Sequence, residues 1–202
     1  MPIMPTRKNA ATLEGNRVHL RPPRRSDETA FVAQALASRR LHRRWVQAPD
    51  APDAFAVYVQ RYRRIDQAAR HAGFLVVRND DRALAGVINF SEIVRGAFLN
   101  AYVGYYAFAA LAGSGYMTEG FSLALDFAFG GLALHRVEAN VQPANARSIA
   151  LVERLGFVRE GYSRRYVKVA GRWRDHVRFA MLAEDWPGKR RAARRYLAGR
   201  RG

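Results

Sequence analysis

Cysteine, long apolar runs and metal-binding patterns are all missing from this 202-residue sequence. The absence of cysteine excludes disulfide bonds, thiolate metal sites and a cysteine nucleophile. No apolar run approaches the roughly 20 residues that cross a bilayer, and residues 1–15 lack the apolar core of a signal peptide. No His-x-x-His pair occurs and the acidic residues are scattered, so we predict no metal and no membrane partner. The simplest location for such a chain is the cytoplasm.

Negative charge is also scarce, because 17 acidic residues stand against 34 basic ones and leave a net charge of +17. Only Lys8, Lys168 and Lys189 are lysine, so 31 of the basic residues are arginine. A surface of this charge attracts polyanions and repels polycations. Cofactors and partners that are rich in phosphate therefore fit the chain.

The length and the 49% hydrophobic content predict one well-packed domain rather than a disordered chain. Apolar periodicity gives the order β-α-α-β-β-β-α-β-α-β-β, which is typical of a mixed α/β layered domain. We expect this domain at residues 16–186, after a flexible arm at residues 1–15 and before a basic tail at residues 187–202. Residues 39–52 are predicted to form a basic loop, and residues 53–71 a helix closed by Gly73.

A glycine-containing loop at residues 110–120 is the most informative stretch. It reads Ala-Leu-Ala-Gly-Ser-Gly-Tyr-Met-Thr-Glu-Gly and joins a strand-like run to a helix-like run. Gly113 and Gly115 expose successive backbone N–H groups at the start of the helix, which is a favourable phosphate site. A plain turn remains the alternative for such a short glycine pair.

Two motifs together resemble those of the GCN5-related N-acetyltransferases (GNAT). The segment Ala110-x-x-Gly113-x-Gly115 resembles their pyrophosphate loop, and residues 140–157 resemble their second cofactor motif. Residues 156–162 and 171–177 look like one branch of the family, the bacterial ribosomal-protein-alanine N-acetyltransferases. The resemblance covers roughly residues 18–186.

The resemblance implies a single-domain α/β fold with a mixed sheet of about six to seven strands, splayed at the acetyl-CoA site and flanked by about four helices. It also implies acetyl-CoA as the donor substrate, without a metal, and direct transfer to the N-terminal amine of a ribosomal protein within a ternary complex. The cofactor-binding residues that it implies are Tyr105, Tyr106, Ala107, Leu111, Gly113, Ser114, Gly115, Tyr116, Asn145, Arg147 and Ser148.

Individual positions refine this expectation. Ala110 replaces the usual glutamine or arginine of the loop, and Arg147 is placed to substitute for that phosphate contact. Gly104 permits a bulge where the strand before the loop separates from its neighbour. Asn145 serves as a pantetheine contact, as a helix cap, or as both.

Among the catalytic candidates, Ser148 is expected by resemblance to protonate or hydrogen-bond the leaving thiolate, with an ordinary first-turn serine as the alternative. Many relatives use a tyrosine four residues later, but Val152 occupies that position here. The base is harder to assign, because Asn140 stands where some relatives have glutamate. Glu138 shares a strand face with Asn140 and can act through water, and Glu92 can reach the cleft from the strand before the glycine loop. The alternative for each glutamate is a solvated or salt-bridged carboxylate.

The type of acceptor amine lessens the need for a base. An α-amino group titrates near ~7.7–8.0, whereas a lysine amine titrates near ~10.4, so a peptide N-terminus is already partly neutral at pH 7. His135 and His176 are interpreted as packing residues. Asp175 and His176 are adjacent in sequence and face opposite ways on a strand, so they cannot form a dyad.

The basic tail is either a solvated end or a contact for ribosomal RNA.

The main functional prediction is an acetyl-CoA-dependent enzyme that acts on peptide α-amines. One alternative is an acetyltransferase for a small amine such as a polyamine or aminoglycoside, which the positive charge disfavours. The other is a CoA-binding ribosome-assembly factor with little catalysis.

Overall fold

The computed structural model describes residues 12–62 and 70–199. The strands are Leu13–Glu14 (β1), Val18–Arg21 (β2), Ala72–Arg78 (β3), Leu84–Val94 (β4), Asn100–Ala107 (β5), Arg136–Val141 (β6), Val158–Val169 (β7) and Arg172–Leu182 (β8). The helices are Glu28–Ala37 (α1), Arg39–His42 (α2), Pro52–Tyr62 (α3), Tyr116–Asp126 (α4), Ala146–Leu155 (α5) and Trp186–Gly199 (α6). Residues 1–11 of the predicted arm and residues 200–202 of the tail lie outside the described residues.

All eight strands form one sheet in the order β1-β2-β3-β4-β5-β6-β8-β7. Every neighbouring pair is antiparallel except β5 and β6, which run parallel. The predicted α/β fold with a mixed sheet is confirmed, and the described residues contain eight strands and six α-helices, slightly more than predicted. The additional strand, Leu13–Glu14, pairs with β2 inside the predicted arm, and the additional helices are Arg39–His42 and Trp186–Gly199.

The predicted end of the second helix is wrong. Ala72–Arg78 is a strand, and Gly73 lies in it opposite Asn89. A Cβ at Gly73 would come within 2.5 Å of the Tyr62 ring. Glycine is therefore required because the end of α3 packs closely on the sheet, whereas the sequence pattern had indicated a helix cap. Residues 63–69 of the predicted helix lie outside the described residues.

The two faces of the sheet carry separate cores. On one face, α4, α5 and α6 cover a cluster that includes Val76, Phe121, Val152, Phe179 and Trp186. On the other face, α1 and α3 cover a second cluster. Its fully buried rings are Phe31, Phe55 and Phe108. Helices thus shield the β2–β5 part of the sheet from both sides. None of the described helices has the length and hydropathy that a bilayer crossing requires.

The sheet opens between β5 and β6. The two strands pair only over Asn100–Tyr102 and Arg136–Glu138. Beyond that point β5 stays paired with β4 and β6 stays paired with β8, up to Val141. The predicted separation of the strands is present. The predicted bulge at Gly104 is not, because Gly104 lies in regular register with Asn89 and the irregularity falls between Ser91 and Val94.

Helix α6 is packed against the domain. The indole Nε1 of Trp186 donates to Asp126 Oδ1 at 2.8 Å, and Arg190 forms an ion pair with Asp126 Oδ2 at 2.6 Å. Trp186 and Ala193 are both buried in the core. The predicted boundary between domain and tail therefore falls inside a helix that contributes to the core.

Candidate active site

The opening between β5 and β6 forms a cleft of about 630 Å³. A cleft of this size suits a cofactor-sized ligand. Its walls come from both strands, helix α2, the glycine loop and helix α5. Ten of the predicted site residues line it: Tyr105, Tyr106, Ala107, Leu111, Gly113, Gly115, Asn140, Asn145, Arg147 and Ser148. The splayed sheet therefore brings together residues that are up to 43 positions apart.

The glycine loop turns sharply into α4. Gly113 and Gly115 have φ angles of +85° and +83°, which lie in the left-handed region that glycine tolerates without strain. Gly115 is the N-terminal cap of α4, so the first N–H groups of this helix begin at the cleft. They lack helical partners and carry the positive end of the helix dipole. The local structure fits the pyrophosphate of CoA.

Two of the predicted residues of the glycine loop contact arginines that lie outside the cleft. The carbonyl of Ser114 accepts a hydrogen bond from Arg17 Nη1 at 3.2 Å. The ring of Tyr116 lies 4.8 Å from the guanidinium of Arg17 and 5.3 Å from that of Arg78. Neither Ser114 nor Tyr116 lines the cleft. Their side chains therefore serve the loop rather than the cleft, and the cofactor contact of their backbone N–H groups stays a prediction.

Arg17 is anchored by a buried carboxylate. Glu119 accepts from the backbone N of Arg17 at 2.8 Å and from its Nε at 3.3 Å. Arg17 approaches the loop so closely that a Cβ at Gly115 would lie 3.0 Å from its Nη2. The Arg17–Glu119 pair therefore supports the loop from outside. The sequence contained no signal for it, since the two residues are 102 positions apart.

Helix α5 begins at the opposite wall. Asn145 caps it, because its Oδ1 accepts from the backbone N of Ser148 at 3.3 Å. Asn145 also lines the cleft, so the capping role is confirmed and the cofactor contact stays a prediction. Arg147 and Arg154 of the same helix line the cleft as well. They provide positive charge along this wall, where Ala110 provides none.

A pair of hydroxyl groups connects the two walls. Ser148 Oγ and Tyr105 Oη are 2.6 Å apart, and the Tyr105 hydroxyl also lies 3.2 Å from the Ser148 carbonyl oxygen. Burial raises the pKa of Tyr105 well above its ordinary value, so this phenol stays protonated at neutral pH. The sequence predicted Tyr105 only as a strand position near the cofactor, whereas the structure places its side chain on the candidate catalytic serine.

The two candidate glutamates lie elsewhere. Glu138 is 3% exposed and accepts from Arg136 Nε at 3.0 Å and from Arg178 Nη2 at 2.8 Å. Glu92 is paired with Arg70 on the surface. Neither glutamate lines the cleft. The predictions of Glu138 and Glu92 as bases are therefore at odds with the structure, because Glu138 is an internal counter-ion of two arginines.

Two histidines line the cleft instead. The Nδ1 of His176 donates to the carbonyl of Arg174 at 3.0 Å, which leaves Nε2 as the acceptor nitrogen. The Nε2 of His42 donates to the carbonyl of Ala107 at 2.8 Å. Burial lowers the pKa of both histidines, so each imidazole is neutral at pH 7. From the sequence, His176 was interpreted as a packing residue, and its position in the cleft was not predicted.

Several residues that line the cleft have buried polar atoms without a hydrogen-bond partner among the described residues. Asn140 Oδ1, Tyr106 Oη and His42 Nδ1 are all shielded from solvent and have no hydrogen-bond partner among the described residues. All three residues line the same cleft. Unpaired buried polar groups are costly, and active sites are where proteins retain them. Among the described residues, no group of three or more acidic or histidine side chains is arranged to hold a metal ion.

Comparison with known proteins agrees with this geometry. The family model described as "Acetyltransferase (GNAT) domain" matches residues 17–158. The "Probable N-acetyltransferase YjcK" of Bacillus subtilis is 34% identical over 179 residues, which cover 86% of this chain and 98% of that protein. The "[Ribosomal protein uS5]-alanine N-acetyltransferase" of Escherichia coli is 41% identical over 111 residues, or 54% of this chain and 57% of that protein.

Among solved structures, RimJ of Mycobacterium smegmatis in complex with CoA-disulfide superposes with a TM-score of 0.84 at 29% sequence identity. The match covers 95% of this chain and 96% of that one. The family uses acetyl-CoA, and the glycine loop, the helix start and the arginine-lined wall of this cleft fit that substrate. The chain belongs to the GNAT family and is an N-acetyltransferase.

Proposed function

We propose that this enzyme transfers the acetyl group of acetyl-CoA to the N-terminal α-amine of a protein, and that the acceptor is a ribosomal protein that begins with alanine. The observation that carries the proposal is the cleft through the splayed sheet. A protonated hydroxyl pair joins its two walls, and the neutral acceptor groups of His176 and Asn140 also line it. The relatives named for ribosomal-protein alanine support this choice of acceptor.

The cofactor-binding part of the cleft consists of the glycine loop, β5 and α5. The N–H groups that start α4 bind the pyrophosphate, and Arg147 adds positive charge where Ala110 lacks a side chain. The backbone of Tyr105, Tyr106 and Ala107, freed from β6, pairs with the pantetheine. Backbone N–H groups of this kind also polarise a thioester carbonyl.

Ser148 is the proton donor to the leaving sulfur. When Tyr105 Oη donates to Ser148 Oγ, the serine hydrogen is free to point at the thiolate. The raised pKa of Tyr105 keeps the phenol protonated, so this hydrogen bond persists across the neutral range. Tyr105 thus positions the serine and Ser148 supplies the proton.

His176 and Asn140 receive the acceptor amine. An α-amine needs little help to lose a proton, because its pKa lies near ~7.7–8.0. The Nε2 of His176 is an acceptor in the neutral tautomer and Asn140 Oδ1 lacks a partner, so both side chains accept from an N–H group. We assign His176 as the base, since it is the titratable group of this pair and its lowered pKa keeps it unprotonated.

The test is acetyl-CoA consumption with peptides that begin in alanine, serine or methionine, with spermidine and an aminoglycoside as the competing amine class. Mass spectrometry locates the acetyl group. The matched acceptor control is the alanine peptide with a blocked α-amine and a free lysine, which should not react.

Transfer to the α-amine of the alanine peptide is the expected result. Acetylation confined to spermidine or the aminoglycoside would replace the proposal with a small-amine acetyltransferase. CoA binding without transfer to any acceptor would instead favour the ribosome-assembly factor. The net charge of +17 is the physical reason for expecting the peptide, because it opposes the approach of polycations.

A further inference from the structure

Strand β7 contributes no buried side chain. It runs for twelve residues at the edge of the sheet, and every one of them is exposed or half-buried. Edge strands ordinarily bury one face against the core. The β7–β8 hairpin, residues 158–182, therefore projects a two-sided ribbon whose outer part is available to a partner.

The ribbon is strongly basic. Residues 159–175 contain six basic side chains and two acidic ones. The basic residues are Arg159, Arg164, Arg165, Lys168, Arg172 and Arg174. None of the six forms an ion pair with a carboxylate within residues 12–62 and 70–199. The two acidic residues are already engaged, since Glu160 pairs with Arg136 and Asp175 accepts from Tyr162 and from the backbone N of Arg165.

Exposed basic and aromatic side chains lie on both faces of the ribbon. Lys168 is paired with Trp173, and Val167 with Arg174, so these two pairs lie on opposite faces. Trp173 is 62% exposed and Tyr162 is 51% exposed. Arginine forks match phosphate oxygens, and exposed aromatic rings stack on unpaired bases. The combination fits RNA with single-stranded segments.

Other occupants fit the ribbon less well. A second copy pairing along β7 would bring two basic edges together, and the irregularities after Arg159 and Ser163 interrupt a continuous edge. A flat anionic membrane would contact one face of the ribbon and leave the basic groups of the other face unpaired. RNA can engage both faces because its backbone curves around a ribbon.

We propose that the β7–β8 hairpin is an RNA-binding ribbon that contacts phosphates through its arginines and lysine and stacks unpaired bases on Trp173. The ribbon continues directly into the cleft, because β8 also carries His176. An acceptor chain bound next to RNA would thus reach the active site. The view of this RNA as ribosomal rests on the proposed function, whereas the binding chemistry does not.

The experiment uses the full-length protein and a fluorescein-labelled RNA stem-loop with a single-stranded loop, with binding followed by fluorescence anisotropy. The hairpin variant is Arg164→Gln/Lys168→Gln/Arg172→Gln. The matched control, Arg25→Gln/Arg40→Gln/Arg61→Gln, removes the same charge from three exposed positions outside the hairpin and the tail. Titrations at about 50 and about 200 mM salt give the dependence of log K on log salt concentration.

The hairpin variant is expected to lose about 2 to 3 units of that slope, near one per phosphate contact, while the control keeps the wild-type slope. Trp173→Ala should weaken binding about tenfold with an unchanged slope. Acetylation of a free alanine peptide should be the same in all variants. Its absence in the wild-type protein would contradict the proposed function without affecting the RNA result.

Three outcomes would overturn the RNA proposal. The first is no measurable binding of the stem-loop, and the second is an equal loss of affinity in the hairpin and control variants. The third is tighter binding to phosphatidylglycerol vesicles than to the RNA, which would identify a membrane surface.

Discussion

The hydroxyl groups of Tyr105 and Ser148 lie 2.6 Å apart and join the end of strand β5 to the first turn of α5 across the cleft. The strand and the helix belong to different parts of the sequence, 43 residues apart. Their contact exists because β5 and β6 separate and leave room for a side chain from each wall. This pair defines the first prediction.

Ser148→Ala should lower kcat by about 100-fold, because the leaving sulfur loses its proton donor. Tyr105→Phe should lower it by about tenfold, because one hydrogen bond to the serine is lost. The double variant should be no slower than Ser148→Ala, since Tyr105 acts through the serine. Steady-state kinetics with saturating acetyl-CoA measure all three. Additive losses in the double variant would show that the two hydroxyls act independently.

The second prediction concerns pH. His176 must be neutral to accept a proton, and its pKa is lowered from the ordinary value by burial. Below about pH 7.7 the acceptor amine becomes protonated, and below the lowered pKa of His176 the imidazole is protonated as well, so the plot of log kcat/KM should steepen from slope one to slope two as the pH falls. His176→Gln should keep slope one throughout. The matched control His135→Gln should retain the wild-type profile, since His135 is exposed and paired with Glu184 outside the cleft.

The third prediction tests the support of the glycine loop. Arg17→Gln should raise the KM for acetyl-CoA about tenfold with little change in kcat, because the Ser114 carbonyl and the Tyr116 ring lose their anchor. Glu119→Gln should act in the same direction, since Glu119 holds Arg17. Arg25→Gln removes the same charge from an exposed site and serves as the control. An unchanged KM in Arg17→Gln would refute the role of this pair.

The fourth prediction concerns helix α6. Trp186→Ala should lower the free energy of unfolding by about 3–5 kcal/mol, because the side chain is 4% exposed and bonded to Asp126. Trp173→Ala, at an exposed position, should change it by less than about 0.5 kcal/mol. Urea unfolding followed by circular dichroism measures both. Similar midpoints for the two variants would mean that α6 is not part of the cooperative unit.

Because α6 packs on the core, a truncation that removes this helix changes the stability of the domain as well as its charge. Deletion after Pro187 removes Ala193 from the core and the Arg190–Asp126 ion pair along with the basic charge. A loss of ribosome binding in such a variant would therefore combine destabilisation with lost charge. Substitution of exposed arginines separates the two effects.

Much of the fold was predictable because it depends on local patterns. The strand and helix periodicities gave the element order, and the glycine loop was placed at the start of a helix, where the φ angles of Gly113 and Gly115 favour glycine. Gly73 shows the limit of such reasoning. Its sequence context fits a helix end, but it is glycine because the Tyr62 ring packs against the strand.

In the candidate site, too, some residues were predictable from the sequence and others were not. Motif spacing identified the glycine loop, Asn145 and Ser148, since each of them lies at or next to the start of a helix. It did not reveal His176 in the cleft, or that Glu138 is neutralised by Arg136 and Arg178. Such roles depend on which side chains meet across the sheet.

The sequence by itself determined the family, the position of the glycine loop and the excess of positive charge, because each follows from the residue types and their spacing along the chain. The tertiary structure alone decided which groups share the cleft, how Arg17 supports the loop and which ribbon carries exposed arginines. These depend on strand order and register, which place distant residues within a few ångströms of one another. Electrostatic and hydrogen-bond energies vary most steeply over such distances.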